Sequence, residues 1–457
     1  MKAFFILTCV LSLSISTFAQ INKDIHSLRY DDDFSYLKKD TAHRAYQQLK
    51  FMPLNTKKNI YLSFGADIRY QYYDIKNENW GDIPDDRDGY ILSRFLTHVD
   101  FHTKSYFRFF FQIQSSNASG RIDPDALDSN PLDIHQAFFD LQLLNKQENQ
   151  LIFRFGRQEM RYGSQRLVSV RELPNSRRAF DGAKFIFKYN YLAMDLFYVH
   201  PVANNEGLVD DHFNTNTKFW GSYNVLKNVP VIENLDLYYL GIWKPYAAFD
   251  DALGSEMRHS IGTRLWNSEG NFHYDIEGVY QLGTAGSSKI KAWTISASLS
   301  QQFEKLKFSP VLGLKTELIS GNKQYEDEVL QTFNAMFPMG AYFGLAALIG
   351  PANLFDIHPS VDIEIVPKVN FAFDYDLFWK LSRNDGIYNV NGQLIYSGKN
   401  TEDKFIGSQY TCEFKYEPTD FLTFKLEGTW FSAGGFIKES GEGKDILLGG
   451  ITAQFKF

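Results

Sequence analysis

The stretch 154–188 carries Arg154, Arg157, Arg161, Arg166, Arg171, Arg177, Arg178, Lys184 and Lys188. Only Glu159, Glu172 and Asp181 oppose them, so nine minus three leaves a local charge of +6 in a chain of net charge −7. A guanidinium is a planar fork that keeps its charge and donates paired hydrogen bonds, which is what a carboxylate accepts. Arranged round a narrow, poorly hydrated passage, such cations select anions. These nine residues, with Asp181, form the candidate substrate-binding constriction. The plainer alternative places the arginines at an outer rim, bound to lipopolysaccharide phosphates or to loop carboxylates.

Other groups point to chemistry less directly. His98 and His102 share a strand face four residues apart, about 13 Å along a strand, too far for one metal ion. His135 lies further on, and all three read as polar filling. Asp374 and Asp376 share a face, as a pair of glycosidase carboxylates would, but a polar surface offers such pairs by chance. Asp123, Asp125, Asp128 and Asp133 lie on one loop with no spacing of a known calcium loop. Neither glycine spacing nor context fits a phosphate-binding loop. No catalytic residue, metal site or cofactor is expected, and the acidic balance argues against nucleic acid as a partner.

The elements that must position the cations alternate with period two. Ile60, Leu62, Phe64, Ala66, Ile68, Tyr70 and Tyr72 fall on one face, with Tyr61, Ser63, Gly65, Asp67, Arg69 and Gln71 on the other. The same pattern recurs at 107–114, 293–299 and 369–380. With 41 Phe and 26 Tyr but a mean hydropathy of −0.30, large apolar side chains must be interleaved with polar ones. Strands that run past about ten residues exceed the usual soluble strand and suit a lipid-spanning barrel. On this pattern Arg154, Lys184 and Lys188 point into the lumen, and the other cations lie on a long loop folded inward. Eighteen strands are expected, among them 217–226, 235–243, 258–266 and 360–366. Every second connection is short and most others are long, such as 159–181, 320–359 and 382–404. The fold class is therefore all-β: a single closed antiparallel transmembrane barrel with short periplasmic turns and long extracellular loops.

Residues 1–19 read as a secretory signal peptide: Lys2, a short apolar core, and Thr17-Phe18-Ala19 at the cleavage position. Its removal leaves Cys412 as the lone cysteine, unable to form an internal disulfide. Residues 20–58 form an N-terminal periplasmic segment leading into a barrel at 59–457. The apolar stretch 333–351 is long enough for a spanning helix, but Pro338 and its glycines make it an ordered loop. It is expected on the extracellular side, over the mouth. The chain ends on Phe457 at a strand end, which resembles the signal read by barrel-assembly machinery.

Gly156-Arg157-Gln158, Tyr162-Gly163, Gln165-Arg166-Leu167-Val168, and Asn175 followed by Arg178-Ala179-Phe180-Asp181-Gly182 together resemble the signature of the alginate-export family of outer-membrane barrels. Asn353-Leu354-Phe355-Asp356-Ile357-His358-Pro359, Ser382-Arg383-Asn384-Asp385-Gly386 and Phe405-Ile406-Gly407-Ser408-Gln409 continue the likeness, as does Arg29-Tyr30-Asp31-Asp32-Asp33-Phe34 near the N-terminus. The resemblance implies a monomeric eighteen-stranded barrel in the bacterial outer membrane, with a positive constriction that passes a linear polyuronate. Its partners would be an anionic polysaccharide or oligosaccharide, outer-membrane lipid and lipopolysaccharide, and the barrel-assembly machinery. Two other functions remain open: a general porin for small anions or other small solutes, and an outer-membrane enzyme or adhesin.

Overall fold

A computed structural model describes residues 25–39, 45–104, 106–146, 149–346 and 348–457. The expected signal peptide lies outside the described residues. Eighteen long strands follow one another round the barrel: β1 (Ile60–Lys76), β2 (Tyr90–Thr103), β3 (Phe107–Ser119), β4 (Asn130–Lys146), β5 (Asn149–Gln158), β6 (Phe180–Tyr189), β7 (Leu192–Ala203), β8 (Lys218–Val229), β9 (Glu233–Phe249), β10 (Ala252–Trp266), β11 (Phe272–Ala285), β12 (Ser288–Gln302), β13 (Val311–Ile319), β14 (Leu354–Val366), β15 (Val369–Trp379), β16 (Phe405–Thr419), β17 (Leu422–Ala433) and β18 (Ile446–Lys456). Each is antiparallel to its neighbours, and β18 returns to β1 with Asp67 opposite Lys456 and Lys76 opposite Leu447. Lipid offers no hydrogen bonds to a free edge, so closure is what allows the sheet to sit in a bilayer.

The alternation places side chains inside out relative to a soluble protein. Along β1, Tyr70 and Tyr72 are exposed outward, whereas Asp67, Arg69 and Gln71 are buried in the lumen. Ile91, Leu196, Ile261 and Leu447 continue the outward apolar face. Among the described residues no helix is long and apolar enough to cross a membrane; strands make the crossing.

The expected strands 217–226, 258–266 and 360–366 appear as β8, β10 and β14. The expected 235–243 extends to Phe249, and β10 begins at Ala252, so the connection there is short. The alternation breaks because Pro245 has no N–H to donate and the ladder slips between Lys244 and Ala247. Two glycines of the signature motifs face each other across β5 and β6. Gly156 (φ +129°) pairs with Gly182 (φ +154°), and a Cβ on Gly156 would collide with the Ala137 carbonyl.

Two long loops turn inward. Residues 159–179 cross the lumen, and the apolar stretch of the 320–353 connection packs on them. Phe337 donates its N–H to Leu167 O (3.0 Å), Ser169 donates to Phe337 O (2.9 Å), and Met339 donates to Gln165 O (3.1 Å). The stretch 333–351 thus leaves the long-loop rim as expected but lines the interior rather than covering the mouth. Phe333, Phe337 and Phe343 are buried; Phe337 meets Phe180 and Phe219 of the wall and Phe343 meets Phe378, apolar partners that open water above the mouth would not supply.

The N-terminal segment also enters the barrel, at the end where the short turns lie. Arg29 donates to Ala66 O (3.1 Å) and to Phe457 O (2.7 Å), at the seam where β1 meets β18. Tyr30 is buried with Phe110, Phe138 and Val170 inside the lumen.

Candidate functional site

Strand register decides which lumenal cations find partners. Asp140 on β4 is directly opposite Arg154 on β5, and the two form a forked pair at 2.7 and 2.8 Å. Arg108 on β3 makes the same kind of pair with Asp100 on β2, at 2.8 and 2.7 Å. Arg154 and Lys184 stand opposite each other, and the like charges are relieved sideways, by Asp140 on one and Asp195 (3.1 Å) on the other. Arg157 sits at the alternate register position from Arg154, forks onto Asp181 at 3.0 and 3.1 Å, and gives its remaining N–H bonds to the carbonyls of Ile134 and Asp211. Lys188 is exposed near the short-turn rim. The far wall is rich in buried carboxylates: Asp236, Glu256, Glu277, Glu317, Asp356 and Asp376.

The 159–179 loop bridges these two walls. At one end Arg69 donates to the carbonyls of Glu172, Leu173 and Pro174 (2.8–3.2 Å), and Arg94 pairs with the Glu172 carboxylate at 2.5 Å. Asn175 Nδ2 donates to carbonyls of Ser93, Asn117 and Asp128. At the other end Arg166 reaches Glu317 (3.0 Å) and Glu277 (3.4 Å) on the acidic wall. Arg177 lies between Glu159 (2.7 Å) and Glu172 (3.0 Å); despite burial, the two carboxylates hold its pKa above the ordinary guanidinium value. Arg161 is exposed and contacts Ser27 Oγ.

Arg171 and Arg178 are different. Arg171 donates to Ser176 O (3.1 Å) and Asn204 Oδ1 (2.8 Å), both neutral. Arg178 lies 5.2 Å from the Phe337 ring centre, and its buried Nη1 has no partner. With Lys244 they line a cavity of about 210 Å³ at the extracellular ends of β7, β8 and β9, together with Met336, Phe337 and Asn391. No carboxylate lines it. Burial pushes the Arg171 pKa down to about 10; burial, then the neighbouring Arg171, pushes that of Arg178 well below the guanidinium range. Buried positive charge without a carboxylate contact is thus gathered at this cavity, whereas Arg166 and Arg177 hold the loop and Arg154 and Arg157 pair along the wall.

The weaker candidates have protein partners of their own. His98 stacks on Phe110 at 5.2 Å and His135 Nε2 contacts Glu159 at 2.7 Å. His358 bridges Asp374 (3.3 Å) and Asp376 (2.5 Å). Asp125 caps its own loop and Asp128 pairs with Arg121, so Asp123, Asp125, Asp128 and Asp133 do not converge. Asp133, Asp210 and Asp211 alone lie close enough together to share a cation, among the described residues. Arg69, Arg94, Arg108 and Lys244 lie outside the basic stretch 154–188. The first three were visible as polar positions in alternating strands, but nothing local marked them as anchors.

Comparison with known proteins matches residues 60–445 to the family described as alginate export. The chain belongs to the alginate-export family. No curated protein sequence matches this family member significantly. Solved barrels of Pseudomonas aeruginosa share its fold at low identity. OpdO aligns with TM-score 0.57 at 11% identity, covering 87% of this chain and 97% of that one. OccK2 (OpdF) in complex with glucuronate gives 0.56 at 10%, covering 86% and 98%. OprD gives 0.56 at 9%, covering 87% and 94%. The alginate-export barrel described here is therefore a bacterial outer-membrane β-barrel of a transport family, not one of enzymes.

Proposed function

We propose that this barrel is a channel for an anionic polysaccharide of the polyuronate class, or its oligomers, and that Arg171, Arg178 and Lys244 are the cations that select it. The carrying observation is the cavity those three line without a carboxylate, beside an inward loop whose other buried arginines, Arg166 and Arg177, are already paired. A buried guanidinium with an unpartnered N–H gains most from a solute that brings its own carboxylate. A barrel of the same fold was solved with glucuronate, a single uronate. The packing of the 159–179 and 320–353 loops across the lumen favours a second reading, passage of small anions or short oligomers rather than a long polymer. The channel is proposed to act as a monomer, as the family resemblance implies.

Planar-bilayer currents test both. The wild-type pore should prefer anions, more so at low salt where fixed charge is less screened. Uronate oligomers should interrupt the current, and neutral oligosaccharides of equal length should not. Block that is insensitive to oligomer length would favour the small-anion porin. A pore that prefers cations and ignores uronates would overturn the anionic reading.

A further inference from the structure

The alternating strands account for the barrel wall, but not for the N-terminal segment packed inside it. Residues 27–33 touch four of the lumenal cations. Arg108 Nη2 donates to Tyr30 O at 2.5 Å, and Arg177 donates to Ser27 O at 3.1 Å. Arg161 contacts Ser27 Oγ, and Arg154 lies 4.3 Å over the Tyr30 ring. Tyr30 is 5% exposed. Its ring meets Phe110 and Phe138 edge-on, at 6.1 and 5.5 Å, and its hydroxyl donates to Glu159 O (2.9 Å), the first residue of the inward loop. Arg29 fastens the segment through Ala66 O, Phe457 O and the Asp32 carboxylate.

The three residues after Tyr30 share the chemistry of the solute. Asp31, Asp32 and Asp33 are consecutive carboxylates, and all three line a chamber of about 640 Å³ at the periplasmic end. Lys104, Arg108, Arg154, Arg161, Lys184 and Lys188 line the same chamber, where Asp140 and Asp195 pair with Arg154 and Lys184 and leave the wall net positive. Asp32 is committed to Arg29 and the His26 N–H. Asp31 and Asp33 are exposed and have no ion pair among the described residues. A short acidic run is thus held by its neighbours in a cationic chamber.

We propose that residues 27–33 are a tethered pseudo-ligand: they occupy the periplasmic chamber, cover Arg108, Arg154, Arg161 and Arg177 there, and must be displaced before an anionic solute passes between this chamber and the cavity of Arg171, Arg178 and Lys244. That the displacing solute is a uronate rests on the function proposed above; that the strap obstructs the pore does not. Tethering gives a weak intramolecular ligand a high effective concentration. A chain of many carboxylates offers more partners than the strap's two free ones and can replace it.

The test uses the full-length barrel in planar bilayers, with folding checked by the gel shift between unheated and boiled samples. Tyr30→Ala removes the ring that fills the lumen, and Arg29→Ala removes the fastening without touching the chamber cations. Asp31→Asn with Asp33→Asn changes only exposed groups and does not put folding at risk. Single-channel conductance should rise severalfold in Tyr30→Ala and Arg29→Ala. The double Asn variant should show more frequent openings at wild-type full conductance. A synthetic peptide covering residues 27–35, added from the short-turn side, should block Arg29→Ala; from the other side it should act more weakly. Wild-type conductance and gating in all three variants would overturn the proposal. Raised conductance with no uronate block in any form would leave the strap in place and remove the uronate reading.

Discussion

Replacing Arg178 with Gln separates selection from structure, because this arginine has no carboxylate partner to abandon. Its Nη1 is buried and unpartnered, and its guanidinium lies 5.2 Å from the Phe337 ring centre. A solute carboxylate at about 4 Å would feel roughly 4 kcal/mol of Coulomb attraction at an effective dielectric constant of about 20. Desolvating that carboxylate consumes part of this, which leaves about 1.5–3 kcal/mol, the usual worth of a hydrogen bond to a charged group. At about 1.4 kcal/mol per tenfold, the half-blocking uronate concentration should rise roughly ten- to a hundredfold in Arg178→Gln. Barrel stability should be unchanged or slightly higher, since a buried guanidinium without a carboxylate partner is replaced by a neutral amide. Arg157→Gln is the contrast. It strands Asp181, now paired at 3.0 Å, and should lower stability by up to about 3–5 kcal/mol while leaving uronate block alone. The assay is block of single-channel current at about 0.1 M and about 1 M salt, where the screening lengths are about 10 and 3 Å. The gap between wild type and Arg178→Gln should narrow at high salt. Equal block in the two proteins at low salt would refute the assignment of Arg178 as a selecting cation.

Arg166→Ala should free the far end of the inward loop and leave Glu277 and Glu317 buried without it; protease cleavage within 159–179 should appear while the heat-shifted gel band persists. Phe337→Ala removes the ring that packs the 320–353 loop on Phe180 and Phe219 of the wall, at a cost of about 3–5 kcal/mol for a buried Phe, and should raise conductance and its noise. Gly156→Val should fail in assembly, because the side chain meets the Ala137 carbonyl at a backbone angle disfavoured for valine; normal membrane yield would contradict that. Asp385, in the 380–404 loop, has its pKa raised from 3.8 to about 6 by burial. A carboxyl raised in the folded state stabilises its surroundings fully below its unfolded pKa and loses that contribution as pH rises through the folded value. The protection of 380–404 amides, taken relative to the exchange rate of an unstructured chain at the same pH, should therefore fall between about pH 4 and pH 6 in wild type and stay flat over that range in Asp385→Asn.

The barrel was legible in the chain alone. Period-two alternation, the short and long connections and the polar positions such as Asp67, Arg69 and Gln71 all answer one physical demand: a strand in lipid shows apolar atoms outward and satisfies its backbone through its neighbours. That demand acts residue by residue, so it can be read along the chain. The stretch 154–188 was legible in the same way as a concentration of charge, and the family signature within it was readable as a motif. The role of each cation emerged only in three dimensions. Arg154 and Asp140 are fourteen residues apart in sequence and opposite in register; Arg166 meets Glu317, 151 residues away; Tyr30 reaches the carbonyl of Glu159, 129 residues away. Lys244 joins Arg171 and Arg178 only because β9 comes round to face the inward loop. Charge is a local property, but compensation of charge depends on which distant residues closure brings within a few ångströms. Alternation shows that a side chain faces the lumen, and cannot show whether a partner, an inward loop or the N-terminal strap is already there.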